Sequence, residues 1–135
     1  MLNPGFDMTQ NNDKRKHTRY SCSIKADFEF FEGDPDTIDV ETQVSEKGKG
    51  FIIDISCGGV FLISNSRVSP GLPIIMKFVL NKEKMMINGR IVRTGLLKNN
   101  PTEVAQKFSK FASKGDNYIA VEFDTPLNNF DCTTL

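Results

Sequence analysis

The sequence predicts a mainly β protein with minor α content, a small closed antiparallel β-barrel that carries one amphipathic helix. Short apolar segments alternate with polar residues at the two-residue period of a strand, and turns that contain Gly or Pro separate them. Only one segment has helical periodicity, so helices do not alternate with strands as they do in an α/β fold. The 135 residues suffice for one domain with its own core.

The first predicted strand covers residues 24–31, where apolar side chains at alternate positions define one buried face. The turn-forming sequence at 32–36 precedes a second candidate strand over 37–44, in which Ile38 and Val40 share a side. Five further segments have strand character: 51–56, 60–64, 74–80, 84–96 and 118–124. A turn is expected at Asn81-Lys82, and Gly89 predicts a bulge or a sharp bend within its strand.

The segment that differs from the others is 102–113, for which the sequence predicts a helix. Val104, Phe108 and Phe111 fall at positions i, i+4 and i+7, on one face. A Thr stands at its start and Gly115 follows its end. We expect the apolar face to pack on the sheet, and the alternative is a helix that binds a partner.

The charge of the chain is balanced but unevenly distributed. Seventeen Lys and Arg residues against seventeen Asp and Glu residues give a net charge of zero, which argues against general affinity for DNA, RNA or an anionic membrane. A phosphate-bearing partner therefore requires a local patch. One candidate is the stretch DKRKHTRY at 13–20, which contains the only histidine. This stretch suits a solvated leader, a nucleic-acid arm, or a pair of arginines for one particular anion.

A second polar motif, DISCGG, occupies residues 54–59 at the end of a predicted strand. Strand alternation places Ile53 and Ile55 in the core, and Asp54 and Ser56 together on the outside of the barrel. A carboxylate can accept two parallel hydrogen bonds from the N1–H and N2 amine of guanine. The two glycines would let a ligand approach the backbone. In the alternative interpretation, Asp54 caps a turn that the glycines form.

Arg15 and Arg19 are spaced R-x-x-x-R before the first strand, and Asp54, Ser56 and Gly59 form D-x-S-x-x-G further along. With the VFL that follows the two glycines, the GRIVR strand and the final YIAVEF strand, this order resembles the PilZ domain, a bacterial receptor module for cyclic di-GMP. The resemblance runs from about Lys14 to Asp124. It implies a six-stranded barrel over 14–124, followed by a tail at 125–135. Residues 1–13 carry Asn, Gln, Pro and Gly with little apolar periodicity, which predicts a mobile leader.

The resemblance also implies a ligand site, with cyclic di-GMP as the ligand and no cofactor, metal or catalytic residue. In it the arginines would bind phosphate and guanine, as a planar, permanently charged group can. The aspartate and serine would contact the other guanine surface. The expected contacts are Arg15, Arg19, Asp54, Ser56 and Gly59, with Lys14 and Gly58 as further candidates.

Binding would switch the conformation of the domain, which an unidentified protein partner would detect. A barrel of this type that binds no nucleotide and serves only as an interaction adaptor is the alternative. An enzyme is disfavoured, because the sequence has no acid pair, metal cluster, phosphate loop or nucleophile with a base. Three widely spaced cysteines predict reduced thiols, and no secretory signal or membrane span is evident. These features predict a cytoplasmic protein, and the resemblance implies a bacterial one.

Overall fold

A computed structural model describes residues 19–98 and 101–127 of the chain. Six antiparallel strands form a closed barrel in the order β1-β2-β3-β6-β5-β4, with β4 paired to β1. The strands are β1 (Tyr20–Phe30), β2 (Glu46–Ile55), β3 (Gly59–Ser64), β4 (Pro73–Leu80), β5 (Glu83–Leu96) and β6 (Asn117–Phe123). The predicted fold class is therefore confirmed.

The barrel interior is filled by the residues that alternate along the strands. Ala26, Phe28 and Phe30 of β1 are all buried there, as their spacing predicted. The tight β4–β5 connection also follows the prediction. Asn81 and Lys82 both have positive φ, at 52° and 70°, which is the backbone of a two-residue hairpin turn that matches the twist of its strands.

Helix α1 (Glu103–Phe108) continues into a 3₁₀ helix at Ser109–Lys114, so the predicted helical segment is present. The hydroxyl oxygen of Thr102 caps α1 by accepting a hydrogen bond from the Ala105 amide at 3.2 Å. Its apolar face lies on the outside of the barrel over β2, β3 and β6. There Phe108 meets Phe61 of β3 with ring centroids 5.1 Å apart, in a second apolar cluster separate from the interior.

Two local predictions were wrong. Residues 37–44 form turns and not a strand, because the carboxylates of Asp34 and Asp39 accept hydrogen bonds from the amides of Asp36 and Glu41. Such short-range bonds compete with a sheet ladder for the backbone. In β5 the register shift lies between Ile91 and Arg93, not at Gly89. Gly89 instead allows close strand contact, since a Cβ there would lie 2.7 Å from the Glu122 carbonyl oxygen.

The end of β2 also departs from simple alternation. A register shift between Ile52 and Asp54 turns Ile53 outward, where it is buried in the cluster beneath the helix, while Ile52 and Ile55 face the interior. The expectation that Ile53 and Ile55 both face the core was therefore wrong for Ile53. A bulge places one extra residue on a strand and so moves one side chain to the opposite face.

Replacement of Phe108 by Ala tests whether the helix is bound firmly to the barrel. Phe108 is 5% exposed, so we expect its truncation to lower the free energy of unfolding by about 3 kcal/mol in urea denaturation. Val44 is 85% exposed, and its replacement by Ala should change that free energy by less than about 0.5 kcal/mol. Equal, small effects of the two substitutions would contradict this packing.

Candidate functional site

The guanidinium of Arg19 lies on the outer face of the barrel, one residue before β1. Its carbon sits 4.9 Å from the centroid of the Phe61 ring, and its Nη1 lies 3.9 Å from Oδ2 of Asp54. The Arg19 side chain is 23% exposed and that of Asp54 is 9% exposed. The sheet explains the arrangement, since Asp54 of β2 is directly opposite Phe61 of β3. An aromatic face and a carboxylate together hold the arginine.

Asp54 and Ser56 were expected side by side on the outside of the barrel, and the structure buries both of them. Their residues are only 6% and 4% exposed. Asp54 lies behind Arg19, and Ser56 is tied into the turn that joins β2 to β3. In that turn the Ser56 amide donates to the Gly59 carbonyl at 2.9 Å, and the Ser56 hydroxyl accepts from the Gly58 amide at 3.2 Å. The turn is therefore held by the serine side chain as well as by the backbone.

The two glycines of this turn allow the neighbouring strands of the sheet to pair closely. Among the described glycines, positive φ occurs at Gly33 and Gly71 but not at Gly58 or Gly59. A Cβ on Gly59 would lie 2.1 Å from the carbonyl oxygen of Val121 on β6. Gly59 thus lets β3 and β6 approach each other, and the Gly58 carbonyl accepts a hydrogen bond from the Phe123 amide at 2.8 Å.

A groove of about 390 Å³ opens beside the turn. Arg19 lies on one side of it and the charged side chains of Arg93 and Glu122 line another part. The other lining residues are Ser56, Gly58, Gly59, Val60, Phe61, Val92, Ala120, Val121, Phe123 and Pro126. The structure thus brings Arg19, Ser56, Gly58 and Gly59 to one groove, while Asp54 supports Arg19 from behind.

Arg93 and Glu122 are additional polar residues of the groove. Glu122 is exposed between two buried residues of β6, opposite Gly59 on β3 and Arg90 on β5. Within 19–98 and 101–127, neither Arg93 nor Glu122 forms an ion pair. The alternation of side chains along β6 places Glu122 on the outside of the barrel. The pairing of β3 with β6 then brings Glu122 next to the D-x-S-x-x-G motif.

Other expected site residues lie beyond the described part of the chain. Lys14 and Arg15 precede residue 19, so the R-x-x-x-R spacing is represented in the structure by Arg19 alone. The predicted leader at 1–13 and most of the predicted tail lie there as well. In the described ranges, no group of three or more His, Cys, Asp or Glu residues could hold a metal ion. No helix in those ranges is long and apolar enough to cross a membrane.

The cysteines near the motif differ from the expected set of reduced thiols. Cys57, between Ser56 and Gly58, is disulfide-bonded, whereas Cys22 on β1 is free. Cys132 lies outside the described residues. Burial, and secondly the negative charge of Asp54, raises the pKa of the Cys22 thiol from 9.0 to about 11. Cys22 is therefore a protonated thiol at neutral pH and is poorly suited to act as a nucleophile.

Comparison with known proteins supports the interpretation of this barrel and motif. A family model for the PilZ domain matches residues 13–129. The chain belongs to the PilZ domain family. The resemblance drawn from the two motifs is thereby confirmed, and the match spans the barrel, the inserted helix and the turn that contains the D-x-S-x-x-G motif of this PilZ domain.

Two solved structures share the fold of this PilZ domain. The Bacillus subtilis inhibitor of motility (MotI/DgrA) matches with a TM-score of 0.55 and 12% identity, over 86% of this chain and 45% of that protein. The PilZ domain of Escherichia coli YcgR, solved with c-di-GMP, matches with a TM-score of 0.52 and 8% identity, over 83% of this chain and 79% of that one. This chain thus spans less than half the length of the B. subtilis protein. No curated protein sequence matches it.

The pKa of Cys22 offers a test of the charge at Asp54. We expect alkylation of Cys22 by iodoacetamide, followed by peptide mass spectrometry, to accelerate with a midpoint near pH 11, because the thiolate becomes the major form only above that pH. Replacement of Asp54 by Asn removes a negative charge, which should lower this pKa and speed the reaction at pH 9. An Asp54→Asn variant that reacts more slowly than the original protein would contradict the assignment. The alkylation of Cys22 in 8 M urea gives the unfolded reference.

Proposed function

We propose that this PilZ domain is a receptor for cyclic di-GMP and that it transmits binding of the dinucleotide to a protein partner. One observation carries the proposal: Arg19 lies over Phe61 and against Asp54, beside a groove lined by the Ser56–Gly59 turn. An arginine held in this way has a planar array of donors next to a cavity, which suits phosphate oxygens or the O6 and N7 acceptors of guanine.

The charge of the proposed ligand agrees with these residues. Cyclic di-GMP carries two phosphates, and a domain with zero net charge must attract it locally. Arg19 supplies one cation at the groove. We propose that Arg15 supplies a second and Lys14 a weaker third, on the basis of the R-x-x-x-R motif. A segment of this kind can order on the barrel when the ligand arrives, which would change the surface available to a partner.

The groove suits part of the ligand. Its volume of about 390 Å³ lies near the lower end of the range for small-molecule sites, which extends from about 300 to 1,000 Å³. We propose that one guanine nucleotide enters the groove while the other half of the ligand contacts the arginine segment. The turn built by Ser56, Gly58 and Gly59 would form the wall nearest to the bound base.

Arg93 and Glu122 extend the proposed contacts beyond the two motifs. A carboxylate without an ion pair is unfavourable beside a ligand with two negative phosphates, unless it accepts hydrogen bonds from the ligand. The base donors of cyclic di-GMP are the N1–H and N2 amine of guanine, which match a carboxylate. We propose that Glu122 accepts from this edge, because Asp54 is already engaged with Arg19. Arg93 would contact phosphate or the opposite guanine edge.

The competing function is a barrel that binds no nucleotide and acts only as an interaction adaptor. The groove with its arginine favours the receptor role over the adaptor role.

We also propose that the domain binds the dinucleotide without turning it over, needs no cofactor, and binds neither DNA nor RNA nor the membrane interior. A cytoplasmic location follows from the receptor role, because a second messenger made inside the cell must meet its receptor there.

Titration calorimetry with cyclic di-GMP tests the receptor role. We expect saturable binding with a dissociation constant at or below about 10 μM, and at least a 30-fold weaker affinity for Arg15→Ala, roughly the loss of a paired arginine–phosphate contact. Arg67 is exposed and remote from the groove lining, so Arg67→Ala should bind like the original protein. Absence of saturable binding by the original protein at millimolar ligand would overturn the receptor role and leave the adaptor as the alternative. If Arg15→Ala and Arg67→Ala bind cyclic di-GMP with equal affinity, Arg15 does not contact the ligand.

Replacement of Glu122 by Gln tests which part of the ligand this residue contacts. Cyclic di-AMP keeps the riboses and phosphates of cyclic di-GMP but lacks the guanine N1–H and N2 donors. We therefore expect Glu122→Gln to weaken cyclic di-GMP binding about tenfold, as loss of a two-bond base contact does, and to leave cyclic di-AMP binding unchanged. The same loss for both dinucleotides would assign Glu122 to the ribose. If the substitution weakens the binding of neither dinucleotide, Glu122 is not part of the site.

A further inference from the structure

Strands β1 and β4 of the barrel do not pair along their full length. Strands β1 and β4 pair only from Ala26 with Phe78 to Phe30 with Ile74. β1 begins six residues before this ladder, at Tyr20, and β4 continues beyond it to Leu80. The strand edges of residues 23–25 and 79–80 therefore face each other without a ladder. We call this opening, bordered by residues 23–25 and 79–86, the β1–β4 seam.

The seam is apolar and reaches the core. Ile24 and Met85 pack against the interior cluster but are only partly buried, because the opening leaves one side of each uncovered. Val79 and Met86 lie at its outer margin and are 52% and 69% exposed. The cavity along the seam has a volume of about 610 Å³. Uncovered apolar surface that is continuous with a core is costly to leave in water and suits a protein contact.

Positive charges border this apolar surface. Lys25, Lys77 and Lys84 line the cavity together with Asp27, and the bordering residues 79–86 add Lys82 and Glu83. Lys77 lies 4.0 Å from Glu29, whereas Lys25 and Lys84 form no ion pair with any residue in 19–98 or 101–127. The excess of positive charge at the margin makes the seam complementary to acidic side chains.

We propose that the β1–β4 seam binds an extended acidic and apolar segment of a partner protein by strand addition. Unpaired strand edges supply backbone donors and acceptors for such a segment. Side chains of an extended peptide alternate, so its apolar residues would cover Ile24 and Met85 while its acidic residues meet Lys25 and Lys84. The seam shares no lining residue with the groove, and the inference therefore does not depend on cyclic di-GMP.

A protein partner suits the seam better than a second copy of this chain. The chain has one strongly acidic stretch, residues 32–46, which contains six carboxylates and no Lys or Arg. This stretch is folded into turns that Asp34 and Asp39 hold through their side chains, so it does not offer an extended strand. Strand addition from a second copy would require those turns to open.

Selection from a displayed library of random, roughly 12-residue peptides tests the chemistry of the occupant. We expect enrichment of sequences that alternate apolar with Asp or Glu residues. Their affinity, measured by fluorescence anisotropy, should fall about tenfold for the double variant Lys25→Glu/Lys84→Glu. The matched double variant Lys98→Glu/Lys110→Glu reverses two exposed charges away from the seam and should change affinity less than about twofold. Both variants should melt within about 3 °C of the original protein.

Hydrogen exchange identifies where the peptide binds, independently of the charge substitutions. An enriched peptide should protect the backbone amides of Ser23–Lys25 and Val79–Leu80. Enrichment of basic peptides or of none, equal binding by the two double variants, or protection confined to other segments would each overturn the proposal. Sedimentation of the chain alone supplies the last check. Self-association that Lys25→Glu/Lys84→Glu abolishes would assign the seam to a second copy and also overturn the proposal.

Discussion

The structure around the groove depends on one extra residue in β2. The register shift between Ile52 and Asp54 turns Ile53 and Asp54 toward the same outer face, while Ile52 and Ile55 remain in the interior. Ile53 then packs beneath the helix, and Asp54 lies opposite Phe61, where it can hold Arg19. Regular alternation would place Ile53 and Asp54 on opposite faces. A bulge thus allows one short strand end to serve both the outer apolar cluster and a polar site.

A second bulge completes the other part of the groove. The shift between Ile91 and Arg93 leaves Val92 and Arg93 both exposed on β5, opposite Ala120 of β6. Between β2 and β5, strands β3 and β6 run close together because Gly59 has no side chain to separate them. The groove is therefore a consequence of backbone geometry in three strands as much as of the D-x-S-x-x-G residues themselves.

Strict alternation and helical spacing were sufficient to predict β1 and the helix, since each of these segments buries one face and exposes the other. Strand β6 was predicted as well, although it is buried on both faces, with Tyr118 and Ala120 in the outer cluster. The same reasoning failed at 37–44, where Ile38 and Val40 imitate a strand but aspartate side chains hold turns. It also failed at Ile53, because a bulge has no signature in the apolar pattern. Of the residues that line the groove, the motifs had named Arg19, Ser56, Gly58 and Gly59. The place of Glu122 depends on strand order, which a single sequence does not contain.

Strand β1 connects the two proposed binding surfaces. Arg19 lies immediately before it at the groove, and residues 23–25 form one edge of the seam. This part of β1 is held by β2 on one side only, through Ile24 with Ile52 and Lys25 with Phe51. A strand paired on one side can shift with less loss of hydrogen bonding than a strand paired on both. Thermodynamic linkage between two sites is reciprocal. If a ligand at Arg19 changes the affinity of the seam for its peptide segment, the bound segment changes the affinity of the groove for the ligand by the same factor. The coupling can therefore be measured from either site.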